Sequence, residues 1–138
     1  MANIPLICVV DDDISVREAL VDRLESLAFV AVGFSGAAEL LRSESLSLAA
    51  CLIVDVQMPG MGGLELHQHL IKAGRNIPTI LITAYPDERV RAKAQRLAAL
   101  GFLAKPFDDS ELIALISEGI SRGSGIRSLN ALPRRAVP

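Results

Sequence analysis

Five short apolar runs, "LICVV" (6–10), "VAVGF" (30–34), "CLIV" (51–54), "TILIT" (79–83) and "GFLA" (101–104), alternate along the chain with segments of helical period. The runs are rich in β-branched or large aliphatic residues and too short for helices, so they read as strands. In the first helical segment Val16, Leu20, Leu24 and Leu27 recur at i, i+4, i+8 and i+11, behind a candidate capping box of Ser15 and Glu18. A second helix is expected over 36–45, with Leu40 and Leu41, and a third over 64–73, with Leu66, Leu70 and Ile71, closing at Gly74. The segment 87–99 carries Val90, Ala94 and Leu97 on one face and Arg89, Lys93 and Arg96 on another. A fifth helix over 109–121 shows Leu112, Ile113, Ile116 and Ile120 behind Asp108 and Glu111, a second candidate capping box. Strict strand-helix alternation predicts an α/β fold, (βα)5, a doubly wound parallel sheet with right-handed crossovers that put helices on both faces. Such a sheet needs buried strands, and a chain with 51% hydrophobic but only 4% aromatic residues supplies them as an aliphatic core.

In sheets of this kind ligands bind beyond the carboxyl ends of the strands. Those ends carry Asp11, Asp12 and Asp13 after the first strand, Asp55 after the third, Thr83 with Ala84 after the fourth, and Lys105 with Pro106 after the fifth. Like charges repel, and burial raises the cost, so a carboxylate cluster implies a cation. A hard divalent ion such as Mg2+ favours oxygen ligands and retains several waters. With the Lys105 ammonium and the Thr83 hydroxyl added, the set has affinity for a phosphoryl group. Asp55, alone at the middle strand, is then the natural nucleophile.

Other classes fit less well. No apolar stretch reaches the ~18 to 20 residues of a membrane helix. The N-terminus lacks a basic n-region, so no signal peptide is expected and a cytoplasmic location follows. Cys8 and Cys51 lie in separate apolar runs without His at metal-ligand spacing and read as reduced, buried thiols. All 16 acids lie in residues 1–121, whereas 122–138 hold Arg122, Arg127, Arg134 and Arg135. The chain thus divides into an acidic domain, 1–121, and a basic linker or tail, 122–138.

The acidic pair in "VVDDD", "LIVDVQMPGMGG", "ITA" and "GFLAKPF", in this order, closely resemble the receiver domain of two-component response regulators over roughly residues 4–121. The resemblance implies a flavodoxin-like receiver fold with strand order 2-1-3-4-5. It implies that Asp55 accepts a phosphoryl group from a sensor histidine kinase or a histidine phosphotransfer protein of a phosphorelay, in a Mg2+-dependent reaction. The protein would be a phosphoprotein with self-phosphorylation and self-dephosphorylation chemistry rather than an enzyme. Asp12 would ligate Mg2+ directly, Asp11 largely through water, Asp55 also, and Gln57 through its backbone carbonyl. Thr83 and Lys105 would contact the phosphoryl group, with Thr83 and Phe102 as switch positions and a cis Lys105-Pro106 bond. Phosphorylation would shift a face made by the helix over 87–99, the fifth strand and the helix over 109–121, for a homodimer or another protein target. Three departures stand out: Met61-Gly62-Gly63 where Asp-Gly often follows the Met, Phe102 where Tyr is common, and the bulky Tyr85-Pro86 after Ala84.

Plainer readings apply to several residues. Asp13 reads as a helix cap, and Gly60, Gly62 and Gly63 as turn glycines, since no Gly-Lys-Ser/Thr follows them. His67 and His69 read as surface or boundary residues, and Arg89, Arg91, Lys93 and Arg96 as a solvated face or a partner surface. One rival is a Mg2+-dependent phosphohydrolase of the haloacid dehalogenase type, with Asp11 as nucleophile in Asp11-x-Asp13 and Asp108-Asp109 as the later acidic pair. Another is the receiver part of a longer DNA-binding regulator. No DNA-binding domain is expected in this chain, because 17 residues after 121 are too few to form one.

Overall fold

The computed structural model describes residues 4–131, with 123–131 described by their backbone alone. The strands are β1 (Leu6–Val10), β2 (Val30–Phe34), β3 (Ala49–Asp55), β4 (Thr79–Thr83) and β5 (Gly101–Ala104). Between and after them run α1 (Ile14–Ser26), α2 (Ala37–Leu41), α3 (Ser45–Leu48), α4 (Gly63–Lys72), α5 (Glu88–Arg96) and α6 (Asp109–Ala131). All strand pairings are parallel and the order is β2-β1-β3-β4-β5, as the strand-helix alternation and the resemblance together predict.

Side chains alternate across each strand, and the core divides accordingly. Ile7, Val9, Ile53, Ile80 and Ile82 pack against Leu20 and Leu24 of α1 and Leu112 and Ile116 of α6. Cys8, Val10, Leu52, Val54 and Leu81 face Leu40, Leu46, Leu66, Leu70 and Ala94 of α2 to α5. The cysteines are free and buried on opposite faces, where burial pushes the thiols up, Cys8 to about 11 and Cys51 to about 12. Among the described residues no helix is long and apolar enough to cross a membrane.

Several local expectations change. The helix expected over 36–45 breaks after Leu41, and a separate turn, α3, buries Leu46 and leads directly into a longer β3. Ser15 and Glu18 do not cap α1; the Asp13 carboxylate does, accepting from Ser15 N at 2.9 Å and Val16 N at 3.2 Å. A short side chain just outside the helix reaches the orphan N–H groups of the first turn, which Ser15, already inside it, cannot do. Leu27 lies past the last turn of α1 and is exposed. At α6 the Glu111 carboxylate accepts from Asp108 N at 3.4 Å, one half of the expected box. The helix expected to end at 121 continues to Ala131, through part of the stretch that composition reads as linker. The side chains of Arg127, Arg134 and Arg135, on which the basic tail rests, lie outside the described residues.

His67, expected at the surface or its boundary, is instead buried at 5% exposure. Its Nε2 lies 2.8 Å from the Leu97 carbonyl, which only accepts, so the ring carries its proton on Nε2 and ties α4 to the end of α5. Replacing it by Phe keeps the bulk and strands that carbonyl. His67→Phe is expected to lower stability by about 1 to 3 kcal/mol in urea unfolding; an unchanged midpoint would show that the carbonyl finds another donor.

Candidate functional site

Register brings the strand ends level. Val10 pairs with Val54, Asp55 with Ile82, and Thr83 with Ala104, so Asp11, Asp55, Thr83 and Lys105 each stand at or one step beyond a paired end. Backbone bonds extend the ladder past the strands: Asp11 N donates to Phe34 O (3.1 Å), Val56 N to Ile82 O (2.8 Å) and Lys105 N to Thr83 O (2.8 Å). The edge of the sheet thus fixes four side chains that sequence separates by up to 94 positions. The Lys105-Pro106 bond is cis.

Lys105 lies between the acids. Its Nζ donates to Asp55 Oδ2 at 3.0 Å and to Asp11 Oδ2 at 3.1 Å. Asp11 is fully buried, and its Oδ1 accepts from Asp13 N at 2.9 Å. Asp55 is buried and its Oδ1 accepts from Gln57 N at 2.9 Å, while Asp12 is exposed. One carboxylate oxygen from each of Asp11, Asp12 and Asp55 lies within 4.8 Å of the others. Three hard oxygen donors this close, two of them on buried side chains, fit a hard divalent cation by the chemistry of the donor set.

Burial raises the Asp11 carboxyl above its ordinary range, although the Asp13 N–H and the Lys105 ammonium oppose the shift. Burial alone would lower the Lys105 ammonium, but its bonds to Asp55 and Asp11 outweigh that and leave it raised. Lys105 therefore stays charged through neutral pH. For Asp11 the folded state holds its proton more tightly than the unfolded state, so stability is lost as pH rises through the raised value. In metal-free buffer Asp11→Asn is expected to remove that part of the decline above the ordinary carboxylate range, read by urea unfolding over a pH series. Parallel profiles for parent and variant would contradict it.

Thr83 is fully buried; its Oγ1 donates to Gln57 Oε1 at 2.7 Å and accepts from Tyr85 N at 3.0 Å. Tyr85 itself is 75% exposed. Phe102, beside Leu81 across the β4-β5 ladder, is half-buried, and the Arg91 guanidinium lies 4.7 Å from its ring centroid. Such stacking of a cation on an aromatic face holds the ring at the α5-β5 surface. Arg89, Lys93 and Arg96 are exposed on α5.

Two side-chain contacts had no sequence signal. Arg17 Nη1 donates to Asp11 O at 2.8 Å, and the Gln57 amide reaches Thr83, 26 positions away. The loop after Asp55 does show why glycine is needed: a Cβ at Gly62 would lie 2.4 Å from Val56 O, and one at Gly63 2.6 Å from Asp55 O. Close approach of α4 to the end of β3 excludes a side chain there. The later acidic pair that a phosphohydrolase would need stays outside the cluster, since Asp109 pairs with Arg23 at 3.1 Å and Asp108 N is bonded to Glu111.

The profile of the response regulator receiver domain matches residues 7–117. Nodulation protein W of Bradyrhizobium diazoefficiens is 35% identical over 117 residues, which cover 85% of this chain and 52% of that protein. Transcriptional regulatory protein FixJ of Azorhizobium caulinodans is 36% identical over 84% of this chain and 55% of its own length. The solved structure of response regulator StyR superposes with a TM-score of 0.82 at 34% identity, covering 94% of this chain and 65% of that one. The chain spans about half the length of these curated relatives.

Proposed function

Since this chain belongs to the response regulator receiver domain family, we propose that Asp55 is its phosphoacceptor and that residues 1–121 form a phosphorylation-controlled signalling unit. The observation that carries this is Lys105 bridging Asp55 and Asp11 at 3.0 and 3.1 Å, beside the exposed Asp12. A nucleophilic carboxylate stands at the sheet edge next to a cation that can meet the oxygens of an incoming phosphoryl group. The donor is a phosphohistidine on a sensor histidine kinase or phosphotransfer protein. An Asp55 oxygen forms the new bond to phosphorus as the phosphorus-nitrogen bond breaks, and the electron pair leaves with the imidazole. Asp11, Asp12, Asp55 and the Gln57 backbone carbonyl would hold Mg2+, which when bound supplies positive charge to the phosphoryl oxygens. Lys105 exchanges a carboxylate partner for a phosphoryl oxygen, and Thr83 supplies a hydroxyl.

The output runs through the neighbouring elements. Thr83 ends β4, α5 follows, and Phe102 on β5 lies under Arg91, so capture of the phosphoryl group biases the α5-β5-α6 face between two arrangements. Arg89, Lys93 and Arg96 suit an acidic protein partner or a second receiver. Residues 122–138 act as a basic linker or tail, and sequence-specific DNA binding is not expected of residues 1–121. Trapping the acyl phosphate after treatment with acetyl phosphate and Mg2+, followed by peptide mapping, should place a single label on Asp55. A label on Ser, His or another Asp would overturn the reading.

A further inference from the structure

A hydroxyl has one hydrogen to give. In Thr83 that hydrogen is committed to Gln57 Oε1 at 2.7 Å, while a lone pair of the same oxygen takes the Tyr85 N–H at 3.0 Å. Thr83 is fully buried and cannot turn to solvent, so it has nothing left to donate to a phosphoryl oxygen unless the Gln57 bond breaks. Gln57 differs in that its side chain is exposed, and its own backbone N–H is bonded to Asp55 Oδ1 at 2.9 Å. One residue therefore touches both the proposed phosphoacceptor and the hydroxyl meant to sense it.

We propose that the Gln57 side chain is a latch: it holds the Thr83 hydroxyl in the unphosphorylated protein and competes with the phosphoryl group for that single hydrogen. The inference rests on the reading of Asp55 as phosphoacceptor and adds a positioning residue to it. The exchange costs little on the side of Gln57, because its freed amide enters water. Thr83 always has an acceptor, since the phosphoryl oxygen replaces the amide oxygen as the hydrogen turns. The latch thus sets how strongly a phosphoryl group must attract Thr83 before the change passes to Tyr85 and α5. Removing it should favour the switched arrangement by about the net worth of one hydrogen bond, roughly fivefold in an equilibrium constant.

The test is titration of the 138-residue chain with beryllofluoride, a phosphoryl mimic, in Mg2+, read by NMR at amides near Asp55 and over 87–104. Gln57→Ala and Gln57→Met, neither of which retains the amide acceptor, should each bind about fivefold more tightly than the parent. In a Thr83→Val background the same Gln57 changes should have no effect, because the hydrogen they compete for is gone. Equal or weaker binding by both variants, or an undiminished gain in the Thr83→Val background, would overturn the latch. Binding that persists in Asp55→Asn, or no binding to the parent, would overturn the phosphoacceptor reading and the latch with it.

Discussion

Asp55→Asn is expected to take up no phosphoryl group from acetyl phosphate and Mg2+ and, in metal-free buffer, to be more stable than the parent chain. The first effect is all or none, since an amide oxygen does not attack phosphorus as a carboxylate does. Intact mass reads it directly. The second follows from the charges. Asp11 and Asp55 are both buried and share the one ammonium of Lys105. Asn at 55 still offers an oxygen to Gln57 N, removes one of the two like charges, and leaves Lys105 paired with Asp11 alone. Taking away one of two buried carboxylates relieves both their repulsion and one desolvation cost, and we expect these together to exceed the lost Lys105–Asp55 attraction (3.0 Å) by about 1 to 3 kcal/mol. A variant that still gains a phosphoryl mass would show that another residue accepts it; a less stable variant would show that the Asp55 carboxylate is a net support of the fold.

Lys105→Met should produce the opposite change in stability. It removes the ammonium between two buried carboxylates, and uncompensated buried charge costs about 3 to 5 kcal/mol. Protonation of Asp11, already favoured by burial, limits the loss at low pH, so the deficit should widen as pH rises toward neutral. Mg2+ should recover more stability in the variant than in the parent. A native-state ligand present at 100 times its dissociation constant contributes about 2.7 kcal/mol, and binding should be tighter where the acids lack a lysine. Urea unfolding at two pH values, with EDTA and with Mg2+, separates these terms. A deficit below about 1 kcal/mol, or one that Mg2+ leaves unchanged, would mean that the acids do not depend on Lys105 as the geometry implies.

Much of this site was legible in the chain because a parallel sheet converts sequence order into spatial order. Once the five runs are strands, Asp11, Asp55, Thr83 and Lys105 must gather at one edge, and the cis Lys105-Pro106 bond and strand order agree with what the motifs imply. The residue types there also limit the chemistry, since clustered carboxylates require a cation wherever they are buried. Less of the local detail was legible. Ser15 and Glu18 satisfy a capping pattern, yet Asp13 wins because the cap depends on where the backbone enters the helix, two residues earlier than the pattern suggests. The break between α2 and α3 likewise depends on burying Leu40 and Leu46 under the same sheet face.

What tertiary structure alone decided is the choice of partners. Gln57 to Thr83, His67 to Leu97, Arg17 to Asp11 and Arg91 to Phe102 join residues of different elements or loops, where no helical or strand period applies. Period reports which face of an element is buried, because that depends on neighbours within a turn or along a strand. It does not report which polar group across the fold lies within 3 Å, because that depends on how whole elements pack and on side-chain rotamers selected by that packing. Composition and order thus determined the fold class and the row of functional groups; the hydrogen held between Gln57 and Thr83 was decided only when β3 and β4 were set side by side.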